Sequence, residues 1–547
     1  MKSALLSNIN LDTLGGRLKR ICEVYLPYGY DVWKQELLDN NSLFYKSNSN
    51  NCFIIIDGKE LFKENKKEYK EVVNEAFVCI ERAVSQLEKC RFFISDIDIE
   101  KLELRTLKKL GIEKEIEFEW YMSLRRLMMN YNNVYHFPLK SIIDEYGRGV
   151  IYSSKMWYLA SNKFSAKGEK VICENINYTI KAQSQARKKC LVLDLDNTLW
   201  GGVIGEDGVD GIILSSNKEG ARYKDFQQRI KEIMSLGIIL TIASKNNEED
   251  VKPVFEHSDM CLKEEDFIIK KISWKPKAES IQEIARELNI GLDAIVFIDD
   301  NPVEREQVKM ALPDVCVPEF PIDTCDLAKF ADEIYNTYFF TLDVLEEDRN
   351  KQKMYADNIK RENYKKEFSN IDEFYKNMQI RMEILEAKQS NVQRIYQMLS
   401  KTNQFNLTTK RYTEDEVNKM VNDSKYIVFL GRVEDRFGDN GNSILLIGKY
   451  LDKKKVAIDV LLMSCRVMGR GIEYALLDYF EKYVRRRGIE EIEAEYLTTR
   501  KNKPVERFYE SAGYEVATVD ENNNKSYILN LNKKKEVESK KWYVEII

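Results

Sequence analysis

The stretch Lys189-Cys-Leu-Val-Leu-Asp-Leu-Asp-Asn-Thr-Leu-Trp-Gly-Gly202 decides how the chain is read. Its apolar run, Leu191 to Leu193, is long enough for a buried strand. The run delivers Asp194, then Asp196, then Thr198, and breaks at Gly201-Gly202. Carboxylates at the end of a buried strand lose hydration, and a nearby positive charge is needed to hold them ionised. A hard divalent cation with oxygen ligands, such as Mg2+, is the simplest source of that charge. A second apolar run, Ala294-Ile-Val-Phe-Ile298, ends in Asp299-Asp300. Two acidic strand ends, far apart in the chain, are predicted to meet at one metal.

Composition narrows the remaining classes. With 547 residues the chain has room for three or four domains, and an apolar share of 44% supplies their cores. The net charge of −5 and a pI near 5.7 give no basic field for nucleic acid. Lysine runs such as Lys453 to Lys455 read as solvated turns. No segment has the apolar length of a membrane span, and the N-terminal run is too short for a signal peptide. Ten scattered cysteines without a Cys-x-x-Cys pair suggest reduced thiols and a cytoplasmic protein. The histidines are His136 and His257 alone, which weakens any serine- or cysteine-hydrolase reading.

Residues 186–340 alternate strand and helix. The elements are the first strand, a glycine-rich excursion over Gly201–Gly208, an amphipathic Gly220–Ser235, and the strand Gly237–Ala243 ending at Ser244-Lys-Asn246. Glu248–Phe255 reads as helix, Ile268–Ile272 as a short strand, Ser273-Trp-Lys-Pro-Lys277 as a turn, and Glu279–Leu288 as helix before the strand Ala294–Ile298. This alternation predicts a doubly wound parallel sheet with its site at the strand carboxyl ends. The excursion is small, so the site is predicted to be open.

Asp194-x-Asp196-x-Thr198 resembles the first motif of the haloacid dehalogenase (HAD) phosphotransferase superfamily. Trp200-Gly-Gly-Val-Ile-Gly-Glu-Asp-Gly208 and Phe297-Ile-Asp-Asp-Asn-Pro-Val-Glu-Arg305 resemble its FkbH-like branch, subfamily IIIC. Asn403-Gln-Phe-Asn-Leu-Thr-Thr409 and Asp435-Arg-Phe-Gly-Asp439 resemble the same branch. The resemblance implies Asp194 as nucleophile and Asp196 as general acid and base. Mg2+ would be held by Asp194, the Asp196 backbone carbonyl and Asp299, with Asp300 as ligand or neighbour. Ser244 fits the hydroxyl role and Lys277 the cationic role at the phosphoryl group, with Lys275 as alternate; Thr198 and Asn246 join this phosphate-binding set. Glu206, Asp207 and Glu304 are read as loop-shaping or helix-capping residues.

Residues 1–185 read as a flavodoxin-like α/β domain. Its expected elements are a strand at Ala4–Leu6, a helix over Leu11–Tyr25, a strand Cys52–Ile56 ending at Asp57-Gly58, a helix Glu64–Leu87, and strands at Cys90–Ile94 and Tyr131–Tyr135. The layout resembles the SGNH-hydrolase-like domain that precedes long FkbH-like proteins. Ser7 stands near the place of their nucleophile, but no Asp-x-x-His follows, and His136 precedes Phe137-Pro138. The domain is therefore expected to be inert and to bind a partner protein, with Ser7 a cap or turn residue.

Residues 341–378 read as a charged helical connector. Residues 379–547 read as α+β, with strands at Gln379–Leu385, Tyr426–Leu430, Ile444–Ile447 and Val456–Met463. The last strand runs into Ser464-Cys-Arg-Val-Met-Gly-Arg-Gly471 and a helix Ile472–Arg486. Such a turn aims backbone N–H groups at a pyrophosphate. It resembles the coenzyme A loop of GCN5-related acetyltransferases (GNAT), through Arg466, Gly469 and Gly471, and Lys503–Tyr514 resembles their later helix. FkbH-like proteins are linked to loading glyceryl units from 1,3-bisphosphoglycerate onto acyl carrier proteins. Their acyl-holding cysteine commonly precedes the Ser-Lys-Asn motif, where this chain has Ala243; Cys465 is the substitute thiol considered. Three uses follow: acyl loading on a carrier by the C-terminal domain, docking of the carrier's phosphopantetheine arm beside phosphatase chemistry, or N-acetyl transfer with an accessory HAD domain. For the last, Glu495 and Tyr509 are the candidate bases.

Overall fold

The computed structural model describes residues 1–63, 68–100, 102, 106–184, 187–344, 351–365, 368, 370–402, 404–464, 467–499, 501–533 and 543–547. The chain is a mixed α/β multidomain protein with two parallel sheets and one mainly antiparallel sheet. It divides into two compact units, Met1–Ser184 and Gln185–Ile547. Among the described residues no helix is long and apolar enough to cross a membrane.

In the first unit, β1 (Lys2–Ser7), β2 (Glu23–Tyr25), β3 (Asn51–Ile55), β4 (Arg91–Ser95) and β5 (Val134–Phe137) form a parallel sheet in the order β2-β1-β3-β4-β5. Helices Tyr69–Gln86 and Glu113–Asn130 bury Ala76, Ile80, Trp120 and Leu124 with one face of the sheet. The expected helix over Leu11–Tyr25 is shorter, Asp12–Leu18, and Glu23–Tyr25 is instead an edge strand paired with Lys2–Ala4. Backbone pairing with β1 outweighs local helical periodicity there, as tertiary context does for short segments. Glu64–Lys67 of the other expected helix lies outside the described residues.

The strand order reverses between β1 and β3, where open α/β sheets place their ligands. Here the ends of these strands bond one another. Asn8 donates to the Asp57 carbonyl at 2.9 Å, the Asp57 N–H donates to Asn8 Oδ1 at 2.8 Å, and buried Lys163 pairs with Asp57. Ser7 Oγ accepts from the Ile9 N–H at 3.2 Å, a turn contact. His136 is on β5, three strand spacings from β1, or about 14 Å at 4.8 Å each. It pairs with Asp96 at 3.1 Å. Ser7 and His136 therefore do not form a nucleophile–base pair.

In the second unit, β6 (Cys190–Leu193), β7 (Ile239–Ser244), β8 (Phe267–Ile272) and β9 (Ile295–Ile298) form a parallel sheet in the order β8-β7-β6-β9. β6 is buried from end to end, as an inner strand covered by helices on both faces requires. Leu191 and Leu193 face a layer with Phe226 and Ile230 of helix Lys218–Ser235 and Phe330 of helix Leu327–Ile334. Cys190 and Val192 face the layer built by Lys277–Leu288 and Pro302–Ala311. Tyr355, from helix Lys351–Lys365, is buried in that second layer.

The remaining strands are β10 (Ile380–Glu386), β11 (Phe405–Asn406), β12 (Tyr426–Asp435), β13 (Gly438–Tyr450), β14 (Lys455–Met463), β15 (Glu491–Tyr496), β16 (Glu515–Val519), β17 (Lys525–Asn530) and β18 (Val544–Ile546). They run in the order β16-β17-β15-β14-β13-β12-β10-β18, with β11 added to β14. β14 and β15 pair in parallel over Lys455–Ile458 and Glu491–Ala494, then part. The segment Phe405–Leu407 fills the gap. Phe405 pairs with Met463, the Leu407 N–H donates to Leu461 O, and Leu407 O accepts from the Leu497 N–H. Helix Ile472–Arg485 follows β14 and buries Leu476, Leu477 and Phe480.

Candidate active site

The carboxyl ends of β6, β7 and β9 bring the predicted residues together. Asp194 continues β6, its N–H donating to the Ile298 carbonyl of β9 at 3.0 Å. Carboxylate oxygens of Asp194, Asp299 and Asp300 lie within 4.8 Å of one another. Lys277 opens its helix and is buried, not exposed. Its Nζ lies 2.9 Å from Asp194 Oδ2 and 2.5 Å from Asp299 Oδ2. Lys275 goes elsewhere, to Glu283 at 3.2 Å on the surface. The alternate lysine is therefore outside the site.

Electrostatics make this cluster incomplete by itself. At an effective dielectric of about 20, two like charges 4.8 Å apart repel by about 3 kcal/mol. One lysine cannot neutralise three carboxylates. Burial and then the Asp194 charge push Asp299 up to about 6, and the same causes push Asp300 up to about 6. Burial draws the Lys277 pKa down, but Asp194 and Asp299 more than offset it, and the net shift is upward. Asp194 Oδ1 is buried without a hydrogen-bond partner. An unpaired carboxylate oxygen beside two further carboxylates is the donor set of a hard divalent cation. The residues present fit Mg2+.

Asp196 is turned the other way. Its Oδ1 accepts from Trp200 Nε1 at 3.0 Å and the Ile204 N–H at 3.1 Å, and its Oδ2 accepts from Asn246 at 2.9 Å. Its carboxylate lies outside the acidic trio, which leaves its backbone carbonyl as the expected metal contact. Asn246 also donates to Ser244 Oγ at 3.2 Å, so the Ser244 hydroxyl proton stays available. Thr198 is wholly buried, and its Oγ1 accepts from the Asp300 N–H at 3.2 Å, which ties the end of β6 to the loop after β9. Arg305, the last residue of the Phe297–Arg305 motif, has no role assigned from sequence; it donates to the carbonyls of Asp299 and Asp300 at 2.9 and 2.7 Å and holds that loop. The motif marks the residue but not this role, which depends on a helix folding back over the loop.

The excursion after β6 holds one short helix, Ile204–Gly211. Gly202 has a φ of +93°, and a Cβ there would meet Asp207 Oδ2 at 2.5 Å. Asp207 accepts from the Val203 N–H at 2.8 Å, the loop-shaping part expected of it. Trp274 stands at the lip, 70% exposed, its indole N–H donating to Asn247 at 2.9 Å.

In the C-terminal sheet, Gly469 and Gly471 have φ of +75° and +70° and lead into helix Ile472–Arg485. Cys465 and Arg466 lie outside the described residues. Arg470 is used internally, donating to Asp435 at 3.0 Å and Asn358 at 2.8 Å. Glu495 pairs with Lys410 at 3.1 Å. Tyr509 is corrected as a base. Its hydroxyl is buried without a partner, and burial raises its pKa far above the ordinary phenol value. It stays protonated near neutral pH. Ala243 is wholly buried in the layer with Ile281 and Tyr355.

The structure is similar to the N-terminal part of protein BF1531 from Bacteroides fragilis, which contains a phosphatase domain and was crystallised with Mg. The identity is 27%, the TM-score 0.56, and the match covers 63% of this chain and 94% of that one. A putative GNAT acetyltransferase from Desulfovibrio desulfuricans matches at 16% identity and a TM-score of 0.23, over 27% of this chain and 99% of that one. The ribosomal-protein-S18-alanine N-acetyltransferase of Escherichia coli matches at 14% and 0.22, over 28% and 97%. No family model matches the sequence, and no curated protein does.

Proposed function

We propose that the protein is a magnesium-dependent phosphatase or phosphotransferase of the HAD type, working through a phosphorylated Asp194. Asp194 itself carries the reading: Lys277 holds one oxygen, and the other is buried and unpartnered beside Asp299 and Asp300. The magnesium complex of the Bacteroides fragilis phosphatase domain supports the same ion here. Asp194, Asp299 and Asp300 would hold it through carboxylates and Asp196 through its backbone carbonyl. When bound, the ion supplies positive charge against the phosphoryl oxygens.

The chain's own residues do the rest. The Asp194 carboxylate attacks phosphorus, and the bond to the leaving oxygen breaks as the aspartyl phosphate forms. Asp196, held by Trp200, Ile204 and Asn246, gives its proton to the leaving oxygen. In the second half Asp196 takes a proton from water. That water's oxygen bonds phosphorus, and the bond to Asp194 breaks. Ser244 donates to a phosphoryl oxygen, and the Lys277 ammonium offsets charge throughout.

The finer reading is that the substrate is a phosphorylated small acid, such as a phosphoglyceryl group, and that an acyl unit is loaded or processed on an acyl carrier protein. The short excursion over the site supports it, since a tethered substrate needs an open mouth. The loop at Gly469 and Gly471 supports a coenzyme A or phosphopantetheine contact in the C-terminal sheet. Because Phe405–Leu407 fills the gap between β14 and β15, such an arm would reach the loop from outside the sheet. The same loop keeps a second reading, a GNAT-type acyl-CoA N-acyltransferase with an accessory phosphatase domain.

Mass spectrometry with 1,3-bisphosphoglycerate, Mg2+ and holo carrier protein separates these readings. A mass gain on the carrier that Asp194→Asn abolishes supports loading. Phosphate release without carrier modification leaves phosphatase chemistry alone. Acyl transfer from acyl-CoA to an amine, unchanged in Asp194→Asn, selects the second reading. No phosphate release from any ester would sink the proposal.

A further inference from the structure

Lys245 stands between two residues of the site, Ser244 and Asn246, and its side chain is 32% exposed. It reaches Glu304, Nζ to Oε1 2.6 Å. Glu304 lies in the first turn of Pro302–Ala311, just past Asp299 and Asp300. β6 runs between β7 and β9. A link from the end of β7 to the helix after β9 therefore crosses above the end of β6, where Asp194 and Asp196 sit. It spans two strand spacings, about 10 Å. The bridge is only half satisfied, for Glu304 Oε2 is buried without a hydrogen-bond partner. Glu304 is 12% exposed and keeps its counter-charge, but the Lys245 ammonium has three N–H donors. A second anion can therefore share the ammonium with Glu304.

We propose that Lys245 is a specificity-determining residue that reads a second anionic group on the substrate, a carboxylate or a phosphate, with Glu304 holding its ammonium over the mouth. The inference rests on the phosphatase reading. Lys277 is buried among the acidic groups and serves the reacting phosphoryl group. Lys245 faces outward from the same edge, where a group some atoms away from phosphorus would lie. A substrate with one phosphate and no other charge would gain nothing from it and would leave the bridge intact.

Steady-state phosphate release is compared for ethyl phosphate, 2-phosphoglycolate and propane-1,3-diol bisphosphate in Mg2+. The proteins are wild type, Lys245→Met and Glu304→Gln. In Lys245→Met the ratio of kcat/KM for a doubly anionic substrate to that for ethyl phosphate falls at least tenfold, mostly through KM. In Glu304→Gln the same ratio rises, because a competing carboxylate is gone. Whichever of the two charged substrates responds identifies the second group. If both variants lose activity alike on all three esters, the bridge is a structural tie and the inference is overturned. If wild type releases phosphate from none of them, the phosphatase reading falls and takes this inference with it.

Discussion

Lys277 is the residue on which the charge balance of the site turns. It touches Asp194 and Asp299 at once and is itself buried. Breaking such a pair by removing the cation leaves buried carboxylates uncompensated, at a cost of about 3 kcal/mol. Lys277→Met is therefore expected to lower the melting temperature of the metal-free protein clearly. Mg2+ is expected to restore more of it than it adds to wild type, because the same carboxylates then depend on one counter-charge. Turnover falls about 100-fold with the loss of a fixed charge at the phosphoryl group. Melting in EDTA and in MgCl2, with phosphate-release rates, checks all of this. Equal melting of variant and wild type under both conditions would show that Lys277 does not carry the balance.

Helix Lys351–Lys365 is the element that joins two cores. Tyr355 is buried in the layer that packs on β6, with Ile281 and Val308. Arg361 grips Asp435 through two bonds of 2.6 and 2.9 Å, Arg470 adds a third of 3.0 Å, and Asn358 accepts from Arg470 at 2.8 Å. Asp435→Ala strands two buried guanidinium groups, a loss of about 3–5 kcal/mol. Calorimetry is expected to show one transition for Gln185–Ile547 in wild type and two in the variant, with phosphatase activity kept. A single, unshifted transition in Asp435→Ala would remove this helix as the coupling element. None of it was visible in the sequence, where residues 341–378 read as a connector because their polar residues look solvated until a partner is placed against them. β6 and β9 were legible because their apolar runs end in paired aspartates, a local signal. β2 and β11 were not, since Glu23–Tyr25 and Phe405–Asn406 become strands through partners far away in the chain. Thr198 has the same cause: its tie to Asp300 crosses from β6 to β9. Sequence favours Lys277 with Lys275 as the alternate, and burial is what separates the two.

At the scale of the whole molecule, stability is expected to depend on pH through a group outside the phosphoryl site. Glu473 lies in the first turn of helix Ile472–Arg485, buried, with Oε2 unpartnered. Burial pushes its carboxyl up to about 7, against the pull of its own backbone N–H. In the unfolded chain an ordinary glutamate titrates at about 4.3. Between these values the folded protein holds a proton that the unfolded chain has released, so stability falls as pH rises through that window. The shift corresponds to about 4 kcal/mol at 1.36 kcal/mol per pKa unit. The loss levels off above pH 7, once both states are ionised. Glu473→Gln keeps the shape of the side chain and removes the charge. It should be more stable than wild type at pH 8, match it near pH 4, and lack this component of the slope between. Urea unfolding of both proteins at pH 4.5, 6 and 8, followed by far-UV circular dichroism, reads the difference directly. Parallel pH dependence in the two proteins would mean that the Glu473 carboxyl is ionised in the folded state and paired with a positive charge.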